Sequence, residues 1–280
     1  MAAVLLGAPA ASAKFSVFPT TLEARAKPGT VASGVFNVRM EGESARRFVV
    51  GAQDLVPQPD GSLAVARQSG SPFSASRWVS LTPSRFPGLP SRVQPVEYAV
   101  RVPPRAEPGD HLASLTVTRL PRGGASTTVP AQAVSVRLRL RVAGRIERSA
   151  RVAALDAPRI AAGNPVSVVA EVVNTGNVRL DFDRAASGLL TILDGSEREA
   201  RLSFAGTVYP GQRRPFELSW DQAPLFGDFH AVATVDAGNG KRVRDSASIL
   251  VLPWRQIGAL LLIALAAIVL LVGRSRRLYP

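Results

Sequence analysis

The sequence predicts an all-β protein: two tandem β-sandwiches followed by a single C-terminal transmembrane helix. Three observations carry this. Between its ends the chain alternates apolar and polar residues with a period of two and has no long run at helical period. Turn signals recur between those runs. Near the C-terminus, Ile257 to Gly273 reads IGALLLIALAAIVLLVG without one charge.

The composition suits such a fold. The chain has 280 residues, 46% of them hydrophobic, enough for two ordinary cores. Gly 23 and Pro 22 fit many strands joined by turns. Cysteine is absent, which excludes disulfides, thiolate chemistry and zinc–thiolate sites. Each sandwich, at about 100 to 130 residues, is expected to hold by core burial alone. The net charge is +13, almost all from arginine, with Lys14, Lys27 and Lys241 the only lysines. Two readings stay open: attraction to a polyanion such as a wall polymer or anionic lipid, or a codon bias that favours Arg over Lys. Export argues against nucleic acid.

The elements follow in chain order. Residues 1–13 read MAAVLLGAPAASA, a short apolar run ending in an Ala11-Ser12-Ala13 cleavage pattern. This is expected to be a signal peptide whose positive n-region lies upstream of Met1; an ordinary apolar N-terminus is the alternative. The first sandwich is expected over 14–142. In it Val96, Tyr98, Val100 and Val102 share one face, as do Val136, Leu138, Leu140 and Val142. The second is expected over 146–251, after the charged stretch at 143–148. Its strands include Val166 to Val172, the row Phe216, Leu218, Trp220 and the row Phe229, Ala231, Ala233, Val235. Asp194-Gly195 and Asn239-Gly240 each sit between apolar runs and read as hairpin turns.

An internal repeat links the halves. Gly109-Asp110 to Thr116-Val117 matches Gly227-Asp228 to Thr234-Val235 as G-D-x-x-A-x-x-T-V, and Pro95-x-Glu97 upstream matches Pro215-x-Glu217. In each copy a tight Gly-Asp corner sends the next strand back with small and branched residues inward. Two copies of one sandwich type, immunoglobulin-like in strand spacing, explain this.

A membrane helix is expected at 255–273. Its apolar run spans about 25 Å, slightly under a hydrocarbon core of about 30 Å. Leu252 and Trp254 extend it, and Trp254 and Tyr279 suit the interfaces. Arg274, Arg276 and Arg277 follow, so the tail at 274–280 is expected to be cytoplasmic and the sandwiches extracellular.

Several motifs in the first sandwich carry a family resemblance: Phe15-Ser16-Val17-Phe18-Pro19, Lys27-Pro28-Gly29, Trp78 to Pro83, Val100 to Pro103 and Pro108 to His111. Their order is similar to bacterial WxL-interacting cell-surface proteins. That resemblance implies a peptidoglycan-binding immunoglobulin-like domain, a second β-sandwich and a membrane anchor. The same pattern also resembles periplasmic pilus chaperones, which lack a C-terminal anchor.

The chemistry-bearing residues are few. His111 and His230 flank the repeated corner without partners at metal or catalytic spacing. Asp181 and Asp183, beside Arg179 and Arg184, make a poor calcium cage. No nucleophile elbow, phosphate loop or zincin motif occurs. Neither enzyme activity, cofactor nor metal is expected. Trp78 and Trp220 read as core anchors. The candidate ligand-binding surface is the outward stripe Arg137, Arg139 and Arg141, three guanidiniums that suit an anionic wall polymer. A solvated face or edge-strand protection is the alternative. The expected function is membrane-anchored binding of peptidoglycan or another wall polymer, or of surface proteins. The rival is an assembly factor that captures exported proteins by strand addition.

Overall fold

The computed structural model describes residues 15–40, 46–67, 70–89, 92–120, 132–182, 188–195, 197–238 and 240–275. The signal-peptide expectation at 1–13 and the residues Arg276, Arg277 and Tyr279 lie outside them. The chain is mostly β and its contacts divide it into two units between Glu147 and Arg148.

The first unit holds ten strands: β1 (Phe15–Phe18), β2 (Thr21–Ala26), β3 (Val31–Met40), β4 (Arg46–Pro57), β5 (Leu63–Ala66), β6 (Val79–Thr82), β7 (Arg85–Gly88), β8 (Val93–Arg101), β9 (Gly109–Arg119) and β10 (Gln132–Val142). One sheet runs β1-β3-β8-β6. The other runs β2-β10-β9-β4-β5, with β7 also on β4. Period-2 burial builds the core between them. Phe36 and Val38 of β3, Val96 and Val100 of β8, Leu115 and Val117 of β9 and Val136, Leu138 and Val142 of β10 are wholly buried. Burying each such side chain stabilises the fold by roughly 1.5–3 kcal/mol.

In this second sheet β4 pairs with β9 from Phe48 to Gln53, then turns away to pair with β5 from Asp54 to Pro57. The segment around Ser74 takes its place beside β9. Leu112 donates its N–H to Phe73 C=O and accepts from Ala75 N–H, each at 2.9 Å. The buried Asp54 carboxylate holds that segment, accepting from the hydroxyls of Ser74 at 2.5 Å and of Ser76.

The second unit holds β11 (Ala150–Asp156), β12 (Ile160–Ala161), β13 (Val166–Asn174), β14 (Leu180–Phe182), β15 (Gly188–Asp194), β16 (Glu197–Ser203), β17 (Gly206–Val208), β18 (Arg213–Trp220), β19 (Gly227–Asp236) and β20 (Arg242–Val251). Its sheets are β11-β13-β18, β12-β20-β19-β15-β16 and the ribbon β14-β17. Phe182, Phe204 and Phe216 cluster in the core, and Trp220 packs edge-on against Phe229 at 5.0 Å. Asn174, fully buried, joins three segments. Its amide donates to Val178 C=O and Val208 C=O at 2.8 and 2.9 Å, and its carbonyl accepts from Gly176 N–H at 2.9 Å.

The two units repeat one plan. In each, the first strand is split between sheets: β1 and β11 run antiparallel to β3 and β13, while β2 and β12 run parallel to β10 and β20. The repeated Gly-Asp pair opens β9 and β19, and its glycine sits opposite the last residue of the final strand, Val142 or Val251. Gly109 and Gly227 take φ of +124° and +152°, which a residue with Cβ rarely adopts.

Helix α1 (Trp254–Ser275) follows β20. Among the described residues no helix is long and apolar enough to cross a membrane. The expected transmembrane helix at 255–273, the cytoplasmic tail at 274–280 and the single-pass localisation are corrected on that ground.

Candidate binding edge

β10 is an interior strand over its second half and an edge over its first. β2 lies beside it from Arg137 to Val142 and nowhere earlier. Arg137 N–H donates to Thr20 C=O at 3.0 Å and Ala143 N–H to Ala26 C=O at 2.8 Å, so the odd-numbered peptide groups of β10 face β2. Two residues share their backbone directions in a strand, so the N–H and C=O of Ala133 and Ser135 face the same side. No described strand pairs with β10 there.

Unpaired edges invite other chains, and proteins blunt them. Most of the other edges among the described residues carry such devices; Val31–Phe36 of β3, which β1 does not reach, is a second plain edge. β1, β5, β6 and β7 have four residues each, and β12, β14 and β17 have two or three. β2 exposes Glu23 and Arg25, β16 exposes Glu197, Glu199 and Arg201, and β18 carries Pro215, which has no N–H. β11 has a bulge between Val152 and Ala154. β20 exposes Arg242 and Arg244, and its Asp245 carboxylate accepts Ser246 N–H at 2.9 Å. The start of β10 has none of these. Ala133 and Ser135 are small, uncharged and exposed, in a strand of eleven residues.

The arginine stripe lies one step further along. Arg137, Arg139 and Arg141 do share the outer face of β10, each half-buried. Arg139 pairs with Glu23 at 3.6 Å, and Arg141 with Asp110. Two of the three guanidiniums are thus largely spent on neighbouring strands. Their strand is interior at this point, which removes edge protection as their role. Arg137 makes no ion pair among the described residues. Beside them Thr116 links Gln53, Ser114 and Ser135 through hydroxyl and amide contacts of 3.0–3.2 Å.

The other sequence candidates fall elsewhere. His111 is buried against Trp78 at 4.7 Å, while His230 is exposed, its Nδ1 3.2 Å from Ser248 Oγ. Trp220 is buried and Trp78 half-buried. Asp181 accepts from Thr207 Oγ1 at 2.6 Å and from Arg179 Nε at 3.2 Å; Asp183 lies outside the described residues. Among the described residues no group of three acidic, histidine or cysteine side chains could hold a metal ion.

No protein-family model matches the sequence, and no curated protein matches it. Solved structures do. The class 5 fimbriae chaperone CfaA aligns at 10% identity over 85% of this chain and 99% of its own, with a TM-score of 0.43. The Pseudomonas aeruginosa CupB2 chaperone aligns at 13% over 83% and 98%, TM-score 0.39. The Acinetobacter baumannii CsuC–CsuE chaperone–tip adhesion subunit complex aligns at 11% over 85% and 98%, TM-score 0.42. At these values the likeness assigns no activity. The resemblance to WxL-interacting proteins is withdrawn: no family model matches the chain, and the motifs that suggested that family are turns and strand starts common to many β-sandwiches. Peptidoglycan or wall polymer as ligand, the membrane as partner and the membrane-anchored surface role rested on that family and on the helix, and are withdrawn with them.

Proposed function

We propose that this chain is a non-enzymatic assembly factor, built of two immunoglobulin-like β-sandwiches, that captures an extended segment of another exported protein by adding it as a strand to the open start of β10. One observation carries the reading: among the described residues Ala133 and Ser135 present unpaired peptide groups on an edge without charge, proline or bulge. Main-chain hydrogen bonds supply affinity in strand addition, and alternate side chains supply selectivity. A segment laid here continues the line of β2, so its register is limited where Thr21 begins.

Proline at position 135 tests it. Ser135 N–H faces away from β9, so Ser135→Pro removes a donor from the open edge and leaves the β9 ladder whole. Co-purification from native extracts should lose its protein partners with Ser135→Pro while the far-ultraviolet spectrum stays the same. Partners retained at wild-type levels would refute the reading.

A further inference from the structure

The plain edge of β3 is a separate surface from the open start of β10. Val102 N–H donates to Thr30 C=O at 3.0 Å and Met40 N–H to Arg92 C=O at 3.3 Å, so the even-numbered peptide groups of β3 face β8. The odd-numbered ones face the other way. β1 lies beside those of Asn37 and Arg39. No described strand pairs with those of Val31, Ser33 and Val35. Val31 is 57% exposed and Val35 48%, and no charged residue or proline stands between Val31 and Phe36. An edge of this kind invites another strand.

The order of its residues says which strand fits. Outward from Ser33 the edge reads alike in both directions: Ala32 and Gly34, both small, come first on the core-facing side, then Val31 and Val35 on the outer face. Such a strand complements itself when two copies run antiparallel about Ser33. Ser33 meets the partner's Ser33 and Val31 meets the partner's Val35, each pair exchanging two backbone hydrogen bonds. The exposed valines then cover one another. Ala32 meets the partner's Gly34 at the closer spacing between those pairs, where bulky side chains would crowd. The lengths agree too. The partner's strand begins at Val31, opposite Val35, and so runs out before Asn37, where β1 occupies the edge. We propose that the chain forms a two-fold dimer through β3, which joins the β1-β3-β8-β6 sheets of two copies into one. A second copy is the occupant because the edge matches its own sequence and its own length.

The chain has no cysteine, so one introduced thiol reports on one position. Residues paired across the axis have Cα atoms about 5.5 Å apart, within disulfide range. Oxidation of the full chain with copper–phenanthroline should cross-link Ser33→Cys into dimers, and an equimolar mixture of Val31→Cys and Val35→Cys should cross-link as well. Val31→Cys alone and Val35→Cys alone place like thiols about 13 Å apart, and each should cross-link at least about tenfold more slowly. Sedimentation velocity should show a wild-type dimer whose share rises with concentration. Val31→Lys/Val35→Lys, at exposed positions that the fold does not need, sets lysine against lysine and should leave the monomer. A Ser33→Cys chain that does not cross-link, a Val31→Cys chain that cross-links as fast as Ser33→Cys, or association unchanged by the two lysines overturns the inference. Strand capture at β10 stands or falls separately, by Ser135→Pro.

Discussion

The imidazole of His111 donates from Nε2 to the backbone carbonyl of Glu107 at 2.8 Å. That bond puts the proton on Nε2 and leaves Nδ1 as a bare acceptor, buried without a partner beside Trp78. Burial pushes the pKa below the usual histidine value. The Glu107 carbonyl and the carboxylates of Glu107 and Asp110 pull it back only in part.

A pH dependence follows. The folded state binds the proton less readily than the unfolded chain, whose histidine titrates near 6.5. The contribution is therefore whole above about pH 6.5 and declines as pH falls from there towards the lower folded pKa. Melting temperature should drop on acidification through this range, and His111→Gln should flatten the drop. An unchanged slope in the variant would rule out His111 as the cause.

Gly34 of β3 lies opposite Tyr98 of β8, and a Cβ there would sit 2.5 Å from the tyrosine hydroxyl oxygen. Gly34→Ala should cost roughly 1–3 kcal/mol of unfolding free energy in urea titration, the range for overpacking a core. Tyr98→Leu in the same chain should relieve part of that cost, since the clash is with the ring and its hydroxyl.

Asn174→Ala removes the donor to two buried carbonyls and the acceptor for Gly176 N–H. A loss of roughly 3 kcal/mol is expected, because buried backbone groups stay unpaired. Denaturant unfolding of the second unit reads it. Asn174→Asp should cost as much or more, since it replaces two donors with a buried charge.

Asp245→Ala uncovers Ser246 N–H on the edge of β20. Stability should change by no more than about 0.5 kcal/mol, but light scattering at rising concentration should show more association than in the wild type. A variant that associates no more than the wild type would show that the exposed Arg242 and Arg244 guard the edge unaided.

Much of this fold is legible in the residues because a strand writes its burial directly into its order. The rows Val96-Tyr98-Val100 and Phe229-Ala231-Ala233-Val235 alternate because successive side chains leave opposite faces, and the structure buries them. The Gly-Asp repeat is legible for the same local reason, as a corner needing positive φ. The edge was not. Ala133 and Ser135 look like weak strand residues, and their exposure depends on where β2, over a hundred residues earlier, begins to pair. The arginine stripe misled for a matching reason: alternation shows that Arg139 and Arg141 face outward, but not that Glu23 and Asp110 meet them there.

The sequence by itself determined the strand content, the inward rows, the turn positions and the absence of cysteine chemistry, because each depends on neighbours within a few residues. Tertiary structure decided which strands lie in the interior of a sheet, which edges are guarded and which polar atoms find partners. Those depend on pairings between distant segments, and a backbone hydrogen bond leaves no mark on the identity of the residues that share it.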